Sequence, residues 1–268
     1  MTLLQSLAET IGRIRAQKPL IHHVTNYVTV NDCANITLAI GASPVMATDA
    51  AEMEDMVSMA GALVLNIGTL TSLVIESMFI AGKKAKKLGI PVIFDPVGVG
   101  ATGLRTSTAN RIIDVVGPTV IRGNMSEIMT IAGLSAKIKG VDSLADELEA
   151  EVVARNLAHK LGCVVVITGK IDIIARENDL CRVANGHAMM TGITGTGCMA
   201  TALVGACCAA NTDAFVGATA GIVAMGIAGE LAQKKLGSEE GLGTYHVRLI
   251  DVISQMTPEL IQNHGKVS

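Results

Sequence analysis

The chain has 268 residues, half of them hydrophobic, and a formal net charge of −3. That length admits one large domain or two small ones, and the small charge leaves no electrostatic footprint for nucleic acid or an anionic membrane. Aromatics make up only 2 % and Trp is absent, so the core must be built from Ala, Val, Ile, Leu and Met.

In chain order, MTLLQSLAETIGRIRAQK reads as an amphipathic helix. It lacks the long apolar run and small-residue cleavage site of a secretory signal. PLIHHV (19–24) is a strand followed by a helix pattern to Gly41, and SPVM (43–46) is a strand before a helix over 51–60. ALVLNIG (62–68) precedes a helix over 71–88, PVIFDP (91–96) one over 107–116, and TVIRGN (119–124) one over 126–132. The charged stretch 139–162 reads as a surface helix with a solvated face, leading into CVVVITG (163–169) and DIIA (172–175), two neighbouring strands with a hairpin between them. The apolar span 198–229 is broken by Asn211 and Asp213 into halves each shorter than the roughly 20 residues that cross a bilayer, so two buried helices are expected and no membrane span. The late segment EEGLGTYHV (239–247) reads as a loop.

Short, almost continuously apolar runs suit strands buried on both faces, and their alternation with helices predicts an α/β fold: a central, mostly parallel sheet with helices on both faces. No repeat or linker divides the chain, so a single domain over 1–268 is expected. Six cysteines without a CxxC pair indicate reduced thiols in a cytoplasmic protein.

In open α/β sheets, ligands gather beyond the carboxyl ends of the strands. Here those ends carry Asn66-Ile67-Gly68, Asp95-Pro96, Arg122-Gly123-Asn124 and Thr168-Gly169, with the loop 192–198 as a fifth wall. Thr194-Gly195-Thr196-Gly197-Cys198 places flexible glycines before a helix, which makes either a tight turn or an anion cradle of backbone N–H groups. In IRGNMSEI, Asn124 and Glu127 have capping-box spacing. The same two residues could order magnesium and its waters while Arg122 meets a phosphate. Asp95, at the end of a buried strand, needs a hydrogen bond, a cation or solvent; it is a turn residue or a neighbour of that metal. Cys198, at the helix start, either fills space or takes a proton from a hydroxyl, and loop amides aimed at it would lower its pKa.

Together these segments resemble the hydroxyethylthiazole kinase family of the ribokinase-like superfamily. The likeness spans nearly the whole chain, through HHVTNYV (22–28), AIGASPVMA (39–47), ALVLNIGTL (62–70), DPVGVGA (95–101), IRGNMSEI (121–128), VITGKID (166–172) and TGTGCM (194–199). It implies ATP-dependent phosphorylation of 4-methyl-5-(2-hydroxyethyl)thiazole in thiamine biosynthesis or salvage, with Mg²⁺. It also implies a homotrimer with active sites between subunits. By position, Arg122, Thr168 and Gly195 would contact ATP, with Thr194, Gly197 and Asn124 beside them. Asp95 and Glu127 would serve the metal, and Met46, Asn26, Val28 and Gly68 would form the thiazole pocket. Many superfamily relatives have Asp where Cys198 stands, whereas thiazole kinases share the Cys. Leu242-Gly243-Thr244-Tyr245 departs from the proline-glycine-serine-aromatic run that such relatives often carry.

Four other readings compete. One is a related kinase for hydroxymethylpyrimidine or pyridoxal, and another a thiazole-binding module without catalysis. A cysteine hydrolase would use His22 or His23 as its base. A dinucleotide oxidoreductase would use GVGATG (98–103), but that run follows Asp95-Pro96 and has no clear ribose-binding acid at the required distance.

Overall fold

The computed structural model describes residues 1–134 and 143–268. Eight strands form one sheet: β1 (Leu20–Val24), β2 (Ser43–Val45), β3 (Ala62–Asn66), β4 (Val92–Asp95), β5 (Val120–Asn124), β6 (Val164–Thr168), β7 (Asp172–Arg176) and β8 (Asp179–Val183). Their spatial order is β2-β1-β3-β4-β5-β6-β7-β8. All pairs up to β6 are parallel; β7 and β8 return antiparallel. The hairpin expected between 163–169 and 172–175 is there, pairing Val165 with Ala175. The sequence reading did not find β8: DLCRV is half polar at the sheet's edge and lacks the apolar run that marks a central strand.

The helices are α1 (Leu3–Gln17), α2 (Val30–Ile40), α3 (Met53–Met59), α4 (Ser72–Leu88), α5 (Gly103–Val116), α6 (Met125–Ala132), α7 (Ser143–Leu161), α8 (Thr196–Ala209), α9 (Ala214–Lys234), α10 (Leu242–Ser254) and α11 (Pro258–His264). Side chains alternate across a strand, and the core divides accordingly. Ile21, Val64, Ile93, Val120 and Val164 pack with α1, α2 and α8–α11, whereas Leu63, Leu65, Phe94, Ile121 and Val165 pack with α3–α7. Helices therefore cover both faces, as expected.

Local chemistry sets the boundaries. Thr2 and Gln5 form a capping box on α1. Thr102 accepts the Arg105 N–H and starts α5 a turn before the expected 107. The first residues of the charged stretch, 139–142, lie outside the described residues; the remainder forms α7.

The expected two buried helices are α8 and α9. At 21 residues, however, α9 is longer than the predicted half-span, and among the described residues it is the one helix long and apolar enough to cross a bilayer. Because 78 % of its most apolar window is buried inside the protein, it reads as a core helix. The predicted late loop is a second correction: residues 242–247 form the first turns of α10, whose Tyr245, Leu249, Val252 and Ile253 are buried along one stripe.

Candidate active site

The parallel strands end in register. Asn66 on β3 stands opposite Asp95 on β4, and Asn124 on β5 opposite Thr168 on β6. Buried apolar residues fix each strand up to these positions, so the polar ends point to one edge of the sheet. The start of α8 arrives beside them.

Asp95 is fully buried. Its Oδ2 accepts hydrogen bonds from Asn66 Nδ2 at 2.9 Å and Thr201 Oγ1 at 2.8 Å. Its Oδ1 has no hydrogen-bond partner and lies 4.0 Å from Arg122 Nη1. Burial pushes the Asp95 pKa up to about 6, against the opposing pull of Arg122 and the two hydrogen bonds.

Arg122 is itself mostly buried and donates from Nη2 to Thr168 Oγ1 at 2.8 Å. Its guanidinium covers the backbone of Gly197: a Cβ there would lie 2.7 Å from Nη1 and 3.2 Å from Nη2. Gly195 caps α8 with φ of +87°, in the left-handed region that favours glycine. The N–H groups of Thr196, Gly197 and Cys198 precede the first intrahelical bond, from Met199 N–H to Gly195 O at 2.8 Å. A cation and free amides thus flank one space. It opens into a cavity of about 520 Å³ lined by Arg122, Thr168, Lys170, Asp172, His187, Met190, Thr196, Gly197 and Met225 among others. Burial pushes Asp172, on that wall, up to about 6 despite its hydrogen bond from Gly169.

Glu127 realises the capping box in full. Its Oε2 accepts the Asn124 N–H at 2.9 Å, and Asn124 Oδ1 accepts the Glu127 N–H at 2.9 Å. Its Oε1 accepts the Gly98 N–H at 2.9 Å, which joins the β4–α5 turn to α6. The cap therefore exists, and it does not exhaust the carboxylate, since two oxygens offer about four acceptor sites. Among the described residues no three His, Cys, Asp or Glu side chains form a metal cage. Magnesium does not need one, because one or two carboxylates suffice beside waters and phosphates. The unpartnered Asp95 Oδ1 and the hard oxygens of Glu127 fit that ion.

Cys198 Sγ receives Nδ2–H of Asn26 and of Asn66, each at 3.3 Å. Contrary to expectation, its pKa is raised, by burial first and by the Asp95 charge second. Those effects outweigh the amides aimed at it, so at neutral pH the group is a thiol. His22 and His23 are fully buried, and their ring Nε2 atoms lie 3.0 Å from Ala47 O and 3.3 Å from Thr37 Oγ1. Neither is partnered with Cys198, so the hydrolase dyad does not form. The GVGATG turn is pinned instead by Arg105, which bonds Val97 O and Gly68 O at 2.7 Å each.

The predicted residues Asn26, Gly68, Asp95, Arg122, Thr168, Gly197 and Cys198 are thus brought into one network, with Asn124, Glu127 and Gly195 on its rim. Met46, Val28 and Thr194 stand apart from it: Met46 is half-buried after β2, and Val28 and Thr194 are exposed. Sequence reasoning placed Asn66 among the strand ends of the cleft without giving it a role, and did not name Thr201. The signal for Asn66 was its place at the end of a fully apolar strand; Thr201 gave none. A second cavity, of about 600 Å³, opens at the amino ends of the strands beside Pro91 and Thr119. It is the larger of the two, but its one cation, Arg13, is paired with Glu9, and it holds none of the strand-end groups.

Residues 11–259 match the sequence model of the hydroxyethylthiazole kinase family. A hydroxyethylthiazole kinase of Alkaliphilus oremlandii is 52 % identical over 268 residues, covering 100 % of this chain and 99 % of its own. The solved hydroxyethylthiazole kinase protein of Pyrococcus horikoshii superposes with a TM-score of 0.89 at 37 % identity, covering 98 % of each chain. A ribokinase-like superfamily protein of Enterococcus faecalis, 11 % identical, superposes with a TM-score of 0.63 over 89 % of this chain and 87 % of its own, which shows the shared fold.

Proposed function

Since this chain belongs to the hydroxyethylthiazole kinase family and is a kinase of ribokinase-like fold, we propose that its strand-end network transfers the terminal phosphoryl group of ATP to the primary hydroxyl of 4-methyl-5-(2-hydroxyethyl)thiazole. The observation that carries this assignment is the Arg122 guanidinium, held by Thr168 over the Gly197 backbone at the mouth of the nucleotide-sized cavity. Phosphoryl transfer demands positioning and charge stabilisation more than covalent chemistry. Arg122 and the amides of residues 196–198 supply both to the phosphate oxygens. Magnesium, when bound with the nucleotide, neutralises phosphate charge, and Asp95 and Glu127 would hold it.

The bond from the alcohol oxygen to phosphorus forms as the bond to the bridging phosphate oxygen breaks. The hydroxyl proton leaves late, to the thiolate form of Cys198, a minority at neutral pH, which becomes the thiol as it accepts it. A thiol of raised pKa is not a standing base, and a loose transition state does not require one before the transfer. Asn26 and Gly68, next to Cys198, form the inner wall of the thiazole pocket, and Met46 and Val28 its outer wall. Met46 offers a polarizable thioether to an aromatic ring. Val28 is 56 % and Tyr27 76 % exposed, which supports a homotrimer in which a second copy covers this side of the site. We take the chain as one kinase domain acting in thiamine biosynthesis or salvage, in a cytoplasm that keeps its six free cysteines reduced.

The test is turnover of ATP with magnesium by the purified protein, using the thiazole alcohol as acceptor and hydroxymethylpyrimidine and pyridoxal as controls, with the phosphorylated product identified by mass. The thiazole phosphate is expected. Turnover only with a control, or thiazole binding without ADP release, refutes the assignment.

A further inference from the structure

Asn66 uses its whole hydrogen-bonding capacity inside this network. Its Nδ2 donates to Asp95 Oδ2 at 2.9 Å and to Cys198 Sγ at 3.3 Å. Its Oδ1 accepts the Gly68 N–H at 2.9 Å and Asn26 Nδ2 at 3.0 Å. A primary amide has two donor hydrogens and one acceptor oxygen with two lone pairs, so nothing is left over. The partners also fix which end is which: a backbone N–H demands the oxygen, and the Oδ2 of Asp95, already accepting from Thr201, is matched by the nitrogen. The side chain is 2 % exposed and stands opposite Asp95 in strand register. It therefore cannot swing away, and it joins three elements: β3, β4 and the start of α8.

We propose that Asn66 is a positioning residue for phosphoryl transfer, whose single amide holds the Cys198 thiol, the Asp95 carboxylate and the Gly68 backbone in one rigid frame. This rests on the kinase reading above, in which Cys198 faces the acceptor hydroxyl and Asp95 the metal and phosphates. The frame sets the separation between the group that meets the incoming oxygen and the group that meets the transferring phosphate. Small misplacements of such groups have large effects on rate. Because Asn66 acts through its neighbours rather than on either substrate, its loss changes turnover more than binding.

The test is a mutant cycle in the full chain. Asn66→Asp keeps the volume and the acceptor oxygen but supplies at most one donor where the amide supplies two. Asn66→Ser is the second variant, with a small side chain if the added acid prevents folding. Each is measured alone and with Cys198→Ala. The single variants are expected to lower kcat at least 10-fold, with both KM values within about threefold of the parent. In the Cys198→Ala background the same change should cost under a third as much, since coupled groups are non-additive. Iodoacetamide labelling of the metal-free protein gives a readout independent of turnover. Cys198 is the only one of the six cysteines that is not buried, and Asn66→Asp should slow its labelling at least threefold, having removed an N–H from the sulfur. Equal losses in both backgrounds, a loss confined to KM, or unchanged labelling overturns the inference. Full turnover by Cys198→Ala overturns the underlying role of the thiol instead, so the two failures are distinct.

Discussion

Replacing Gly197 with alanine should separate the phosphate-binding role proposed for Arg122 from the stability of the fold. The new methyl would lie 2.7 Å from Arg122 Nη1, well inside ordinary contact, so the guanidinium must withdraw by roughly 0.7 Å. The obstacle is the free end of a flexible side chain, and alanine suits a helix better than glycine by up to ~1 kcal/mol; the melting temperature should hold or rise. What is lost is the placement of a cation held by the 2.8 Å bond to Thr168. A hydrogen bond to a charged group is worth about 1.5–3 kcal/mol. At 1.36 kcal/mol per decade that predicts a fall of about 10- to 150-fold in kcat/KM for ATP. Steady-state kinetics with varied ATP, beside a thermal melt, measures both quantities. Gly221→Ala is the control, because its methyl would meet the rigid backbone N of Val204 at 2.6 Å; it should lower stability and leave the folded enzyme's use of ATP unchanged. A Gly197→Ala enzyme with normal kcat/KM for ATP would show that phosphate does not sit against Arg122.

Three further outcomes follow from the same geometry. Between 3.8 and about 6 the folded protein keeps a proton on Asp95 that the unfolded chain has released, so this group's contribution to stability falls as pH rises through that window. The span is worth about 3 kcal/mol. Urea unfolding of metal-free Asp95→Asn, compared with the parent from pH 4 to 7, should therefore show the variant gaining relative stability by up to that amount, and a flat difference refutes it. Cys198→Ala should slow turnover about 10²-fold, the lower end for loss of a proton-accepting group, with Cys198→Asp restoring much of it. The parent kcat should climb toward alkaline pH, because its thiol titrates above the usual range, and near-normal turnover by the alanine variant would leave Cys198 as packing alone. Glu127→Gln should raise the magnesium concentration needed for half-maximal rate, and an unchanged titration would confine Glu127 to its helix cap.

The strands β1 and β3 to β6 were legible because burial on both faces leaves one kind of sequence, a short, mostly apolar run that ends in a polar residue or glycine; β2, half-buried at one edge of the sheet, was read from its short SPVM run alone. The same rule hid β8, which lies at an edge and alternates. The α10 helix was hidden by its glycine-rich start, although Tyr245, Leu249, Val252 and Ile253 already carried the helical spacing. Within the site, Asp95 and Arg122 were readable for a physical reason: a charge ending an apolar strand demands an explanation. Asn66 made no such demand. An asparagine at the end of a strand looks like the start of a turn, and its partners come from β4, 29 positions on, and from α8, 132 positions on. The lowered thiol pKa failed on magnitude. Side-chain hydrogen bonds from Thr29, Asn26 and Asn66 do favour the thiolate, but burial and a carboxylate nearby act more strongly.

Asp95 is the strongest argument for reading this arrangement as a site and not merely a satisfied core. Burying a carboxylate is costly unless its lone pairs are matched and its charge is opposed. A core built only for stability would match both oxygens or replace the pair with apolar side chains. Here Oδ2 is matched twice while Oδ1, equally buried, faces a guanidinium at 4.0 Å, too far for a direct bond. The gap lies beside the free amides of α8 and the wall of the nucleotide-sized cavity. Asn66 is already committed to four bonds and Thr201 to Asp95 and the Gly197 carbonyl, while Arg122, anchored to Thr168 through Nη2, keeps its Nε unpartnered and its Nη1 4.0 Å away. The protein thus holds an unfilled acceptor rigidly in place, and the group that completes it must bring positive charge or donors of its own. A divalent ion with its waters meets that requirement, and a triphosphate beside Arg122 carries such an ion as its natural companion.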